Sequence, residues 1–171
     1  MRGGREATGG EIMLVVYIAG PFRASSAWDI ECNIRRAETL ALEVWRAGAA
    51  AICPHTNTRY FQGAAPDEVW LEGDLAIMKK CDAVLLTEDW DSSAGARRER
   101  QEAVLWGLPV FISRNQFELP MELKKYIEEK QEEESRARKK ISRNVKQYFI
   151  GLGIDPPKSR RGIIGKRKGT E

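Results

Sequence analysis

Leu14-Val15-Val16-Tyr17-Ile18-Ala19, closed by Gly20-Pro21, is the stretch that decides how this chain folds. The run is short, apolar and uninterrupted. A strand with one wet face alternates polar and apolar residues, whereas a strand covered on both faces does not. LVVYIA therefore reads as a central strand of a parallel sheet, and its Gly-Pro ending places a turn directly after it.

Downstream the periodicity changes. Ile30, Ile34, Ala37, Ala41 and Val44 recur at helical spacing, with Asp29 as the expected N-cap and Gly48 as the stop. Ala49–Cys53 reads as a second strand closed by Pro54, and a polar loop follows to Ala65. A helix is expected from Pro66 to about Lys80. Ala83–Thr87 is a third strand, Glu88–Gly95 a loop, Ala96–Trp106 a helix ended by Gly107, and Pro109–Ile112 a fourth strand. Strands alternating with helices give an α/β fold. The expectation is a single doubly wound parallel sheet of four to five strands, flavodoxin-like or Rossmann-like, in the order 2-1-3-4-5. Trp45, Trp70 and Trp106 fall within helices and read as packing residues.

The flanks differ from this domain, which spans residues 13–120. Residues 1–12 are Gly-rich without periodicity and read as a disordered arm. Residues 121–148 read as a charged helix packing through Leu123, Tyr126 and Ile127. Residues 149–171 read as a basic flexible tail. The net charge of +3 hides this division: residues 1–120 carry 13 Lys/Arg against 17 Asp/Glu, and residues 121–171 carry 15 against 8. Nucleic acid is thus a partner only through the tail.

Composition excludes several chemistries. His55 is the single histidine, so Ser-His-Asp and Cys-His triads and the usual zinc sites lack their ligands. Cys32, Cys53 and Cys81 form no C-x-x-C pair and read as small buried hydrophobes in a reducing compartment. No metal or cofactor is expected. No apolar run approaches the ~20 residues needed to span a bilayer, so a cytoplasmic location and no membrane partner are expected.

In an open doubly wound sheet, ligands bind beyond the carboxyl ends of the strands where strand order reverses, here between the first and third strands. The first loop carries Gly20, Pro21, Phe22 and Arg23. The third carries Asp91, Ser93 and Gly95, with Glu99 just inside the next helix. Gly20 and Gly95 would let a ligand approach the backbone, and a helix N-terminus favours an anion. Glu99 near that terminus would be kept ionised as a nucleophile. Asp74, in the preceding helix, supplies a second carboxyl to be held protonated for a departing group. Taken singly, Glu99 reads better as an acid complementing a helix dipole, Asp74 as a solvated helix residue and Tyr17 as core, and Arg23 reads also as a surface charge. His55 and Asn57 read as a polar loop.

Five elements in order narrow the choice: Y-I-A-G-P-F-R at Tyr17–Arg23, P-H-T-N-T at Pro54–Thr58, W-L-x-x-D-L at Trp70–Leu75, C-D-A-V at Cys81–Val84, and S-x-G-A-x-x-E at Ser93–Glu99. Together they resemble the nucleoside 2-deoxyribosyltransferase superfamily, which includes the deoxynucleoside monophosphate N-glycosidases. The resemblance covers Leu14–Ile112. It implies Glu99 as the nucleophile at C1′, Asp74 as the acid serving the base, and Tyr17 as the residue holding glutamate or sugar. Ser93, where the transferases carry an aspartate for the 5′-hydroxyl, and Arg23 resemble the monophosphate N-glycosidases; Asp91 is the rival group for that hydroxyl. The resemblance also implies a homodimer or higher oligomer. A non-catalytic nucleotide-binding module is the alternative reading.

Overall fold

The Val15–Ala19 strand lies second in a four-stranded, all-parallel sheet of order β2-β1-β3-β4 in a computed structural model that describes residues 13–155. β1 (Val15–Ala19) pairs on one side with β2 (Ala50–Ile52) and on the other with β3 (Ala83–Leu86), which pairs with β4 (Val110–Ile112). The fold is flavodoxin-like, with four strands of the expected order.

Both faces of β1 are covered, as its lack of alternation requires. Val16 and Ile18 pack with Ala37, Leu40 and Val44 of α1 (Ala27–Arg46) and with Leu123 and Ile127 of α5 (Met121–Gly151). Tyr17 and Ala19 face the other way, toward Leu75 and Met78 of α3 (Asp67–Met78) and Ala103 of α4 (Ala94–Leu105). β3 divides likewise, with Ala83 and Leu85 on the α1 side and Val84 and Leu86 on the α3/α4 side. Tyr17 is therefore delivered to the α3/α4 face by strand alternation alone.

Several boundaries differ from expectation. The N-cap of α1 is Ser26: its Oγ accepts from Asp29 N–H at 3.1 Å and donates to the Asp29 carboxylate at 2.6 Å. Asp29 fills the third helical position of this capping arrangement, where an acid favours the helix N-terminus. The expected loop after β2 begins with one helical turn, α2 (Pro54–Asn57), with Pro54 at its first position. A 3₁₀ turn (Trp90–Ser92) precedes α4, which starts at Ala94 with Ser93 as N-cap. Gly48 and Gly107 follow α1 and α4 with φ of 87° and 71°, the left-handed conformation that ends helices.

The chain divides after Gln131. Residues 121–131 of α5 belong with the sheet, and Gln131 donates to Gly48 O at 2.8 Å. Residues 132–155 form a second unit in which α5 continues to Gly151, past the expected end at 148. The expected arm, residues 1–12, lies outside the described residues, as does the expected tail from 156 on. No helix among the described residues is long and apolar enough to cross a membrane. Trp45 is half exposed and Cys32 only partly buried, because each sits outside the core-facing stripe of α1.

Candidate active site

A cleft of about 530 Å³ opens beyond the carboxyl ends of β1 and β3. Five segments build its wall: the loop Gly20–Arg23, α2, the stretch after it with Thr58, Phe61 and Gln62, one face of α3, and the start of α4 with the residues just before it. Its volume lies in the range of small-molecule sites. Asp74, Ser93, Gly95 and Glu99 line it together with Gly20, Pro21, Phe22 and Arg23. The topology thus gathers residues that are up to 79 positions apart, from Gly20 to Glu99.

Its centre is a buried carboxyl. Glu99 is 7% exposed and accepts a 2.5 Å hydrogen bond from the Tyr17 hydroxyl, which is itself fully buried. Burial pushes Glu99 up to about 8; the Tyr17 hydrogen bond opposes that shift, and the nearby Asp74 charge adds to it. Asp74 is raised to about 6 by its own burial. Burial, with Glu99 and Asp74 close by, keeps Tyr17 protonated and hence a donor. The expectation that the helix N-terminus keeps Glu99 ionised does not hold. Ser93 is the N-cap, so Glu99 lies in the second turn, beyond the reach of the terminal dipole, and desolvation outweighs what remains.

The start of α4 is built differently. Ser93 Oγ accepts from Ala96 N–H at 3.3 Å, and the first intrahelical bond runs from Arg97 N–H to Ser93 O at 3.0 Å. The amides of Ala94 and Gly95 therefore precede the helical ladder, and both residues line the cleft. A Cβ on Gly95 would meet only Ser93 Oγ, at 3.7 Å, so packing does not demand glycine there. Gly20 is the opposite case. A Cβ on it would lie 2.5 Å from Thr87 Oγ1, so the close passage of β1 against the end of β3 demands glycine, whatever the cleft holds.

The loop 20–23 is braced from behind. Asn33 of α1 donates to the carbonyls of Phe22 and Arg23, and His55 Nε2–H of α2 donates to Pro21 O at 3.1 Å. Burial lowers the His55 pKa, so the ring is neutral. His55, expected in a polar loop, sits instead in α2 and is buried, whereas Asn33 has no counterpart among the expected site residues. Asn33 interrupts the apolar stripe of α1, which was the available signal. Trp70, expected to serve packing, lines the cleft beside Phe61, with ring centroids 5.5 Å apart.

Two ion pairs stand at the rim, Arg23 with Asp67 and Arg98 with Glu72, the latter at 2.6 Å. Arg98 was also missed; its place one turn beyond Ser93 and Ala94 was the clue. Asp91 is exposed and does not line the cleft. It lies in the 3₁₀ turn, whose Ser92 does line the cleft, and its carbonyl accepts from Arg97. Among the described residues, no group of three or more His, Cys, Asp or Glu side chains is gathered as a metal site.

Residues 14–113 match the family model described as "Domain of unknown function (DUF7768)". No curated protein matches the chain.

Proposed function

We propose that this chain, which belongs to the DUF7768 family, cleaves or exchanges the N-glycosidic bond of a nucleoside 5′-monophosphate or nucleoside through a glycosyl-enzyme on Glu99. The observation that carries the reading is the buried Glu99 carboxyl, held by Tyr17 at 2.5 Å and sharing its cleft with a second perturbed carboxyl, Asp74. Two carboxyls in unlike environments are the apparatus of retaining glycosyl transfer. The resemblance to the nucleoside 2-deoxyribosyltransferases supplies the substrate class.

In this reaction the Glu99 carboxylate attacks C1′. The C1′–N bond breaks with its electron pair going to the base, and Asp74 gives the base a proton. Water or a second base then attacks C1′, Asp74 takes the proton, and Glu99 is released. Between pH ~6 and ~8 the two carboxyls together hold one proton. The reactive arrangement places that proton on Asp74. The Tyr17 hydrogen bond favours it by stabilising the ionised form of Glu99.

A 5′-phosphate fits the start of α4, where Ser93, Ala94, Gly95 and Arg98 line the cleft and the Ala94 and Gly95 amides precede the helical ladder. Arg23 reaches the same anion by exchanging Asp67 for phosphate. That Asp91 is not among the residues lining the cleft supports Ser93 over Asp91 as the group at the 5′ position. Incubation with paired nucleosides and 5′-monophosphates, with and without a free acceptor base, tests the reading. Released or exchanged base is expected, with the monophosphate preferred by about 10²-fold or more. A folded Glu99→Ala protein retaining turnover would overturn it.

A further inference from the structure

The distal part of α5 carries a surface that the cleft does not explain. Ile141, Val145, Tyr148 and Leu152 recur at steps of four, three and four residues and share one stripe, each between 44% and 66% exposed. Ile154, 53% exposed, continues the apolar character past the helix end. Lys139, Arg143 and Lys146 recur at the same steps about half a turn away, on the opposite side. No acidic residue occurs between Glu134 and Asp155. Apolar residues thus dominate one side and cations the other, where Ile150 is also exposed, and beyond the Arg138–Glu134 ion pair the segment has no acidic residue to offset its charge.

We propose that this segment, residues 137–154, is a docking surface for an anionic lipid bilayer, with the helix lying in the headgroup plane and not crossing it. Charge complementarity selects this occupant. A helix of this kind places its apolar stripe at the acyl boundary and its Lys/Arg near anionic headgroups. Tyr148 suits that boundary, being apolar in body and polar at its tip. That no helix among the described residues is long and apolar enough to cross a membrane does not bear on a helix lying in the interface.

Two other occupants fit less well. Pairing with a second copy would bring two uncompensated cationic segments together over less than two full heptads, shorter than a coiled coil sustains. A nucleic acid would need cations and stacking rings on one side, whereas here Tyr148 lies opposite Lys139, Arg143 and Lys146. It would also leave the aliphatic stripe uncovered.

Co-sedimentation of the full chain with vesicles tests the proposal, using phosphatidylcholine alone and phosphatidylcholine mixed with phosphatidylglycerol. At least about tenfold more binding to the anionic vesicles is expected, falling as salt rises. The pair Val145→Ser/Leu152→Ser and, separately, the pair Lys139→Glu/Arg143→Glu should each lower it about tenfold. Equal binding to neutral vesicles, or none to either, would overturn the proposal. So would unchanged binding of the apolar-pair variant, since its stripe would then have no part. Tighter binding to a single- or double-stranded oligonucleotide than to anionic vesicles would give the surface to nucleic acid. A wild-type dimer that becomes monomeric in the Val145→Ser/Leu152→Ser variant would give it to a second copy.

Discussion

Replacing Glu99 with Gln should stabilise the fold while abolishing its chemistry, and the stabilisation should grow with pH. Glu99 titrates near 4.5 when unfolded and about 8 in the fold, because burial disfavours its charge more than the Tyr17 hydrogen bond restores it. A carboxyl raised in this way contributes most below its unfolded value, and that contribution is lost as pH rises through 4.5 toward 8. At about 1.4 kcal/mol per pH unit, the span from 4.5 to 8 sets a ceiling of about 5 kcal/mol on the loss. Glutamine has the same shape, stays neutral and still accepts from Tyr17. Its advantage should be near zero at pH 5 and reach about 2–4 kcal/mol at pH 9, below the ceiling because the unfolded chain and local relaxation take a share. Urea denaturation of both proteins at pH 5, 7 and 9 measures this directly. A difference that stays constant across that range, or a variant less stable at pH 9, would show that the fold does not hold this carboxyl neutral. Base release by the same variant should fall by several orders of magnitude if Glu99 is the nucleophile.

The remaining expectations concern the same elements. The kcat/KM for base release should be bell-shaped in pH, with limbs near 6 and 8, because the pair is doubly protonated below and doubly ionised above; a profile flat from pH 5 to 9 would contradict the paired titration. Gly20→Ala should cost about 1–3 kcal/mol in chemical denaturation through its clash with Thr87, and Thr87→Ser should recover part of it by removing the methyl. Gly95→Ala should leave stability within about 0.5 kcal/mol yet weaken monophosphate binding in calorimetry; unchanged affinity would remove the α4 start from the phosphate site. Ser26→Ala should lower stability by about 1 kcal/mol through the lost N-cap of α1, whereas Asp29→Ala should cost less.

The sequence by itself determined the sheet. An unalternated LVVYIA run between turn residues, followed by helical and strand periods in alternation, has few folded solutions, because parallel strands need covered faces and right-handed crossovers. From that topology followed the meeting of the β1 and β3 loops, with Gly20–Arg23, Ser93, Gly95 and Glu99 in one cleft; Asp74, on the intervening helix, joined them only through the family resemblance. What the sequence left open depends on distances between residues far apart in the chain. Whether Glu99 is charged or neutral is set by desolvation against the dipole, and neither can be weighed until Tyr17 and Asp74 are placed beside it. The reason for Gly20 is a Thr87 methyl and hydroxyl met across the sheet, not a ligand. His55 and Asn33 gain their bracing of the first loop only when α1 and α2 close behind it. Asp91 lies two residues from Ser93 in sequence yet is exposed and outside the cleft lining that Ser92 and Ser93 join, a difference between neighbours that only the folded turn sets. Local pattern fixes which elements form and which faces they bury; tertiary packing fixes solvation, proximity and direction, and those decide what a carboxyl can do.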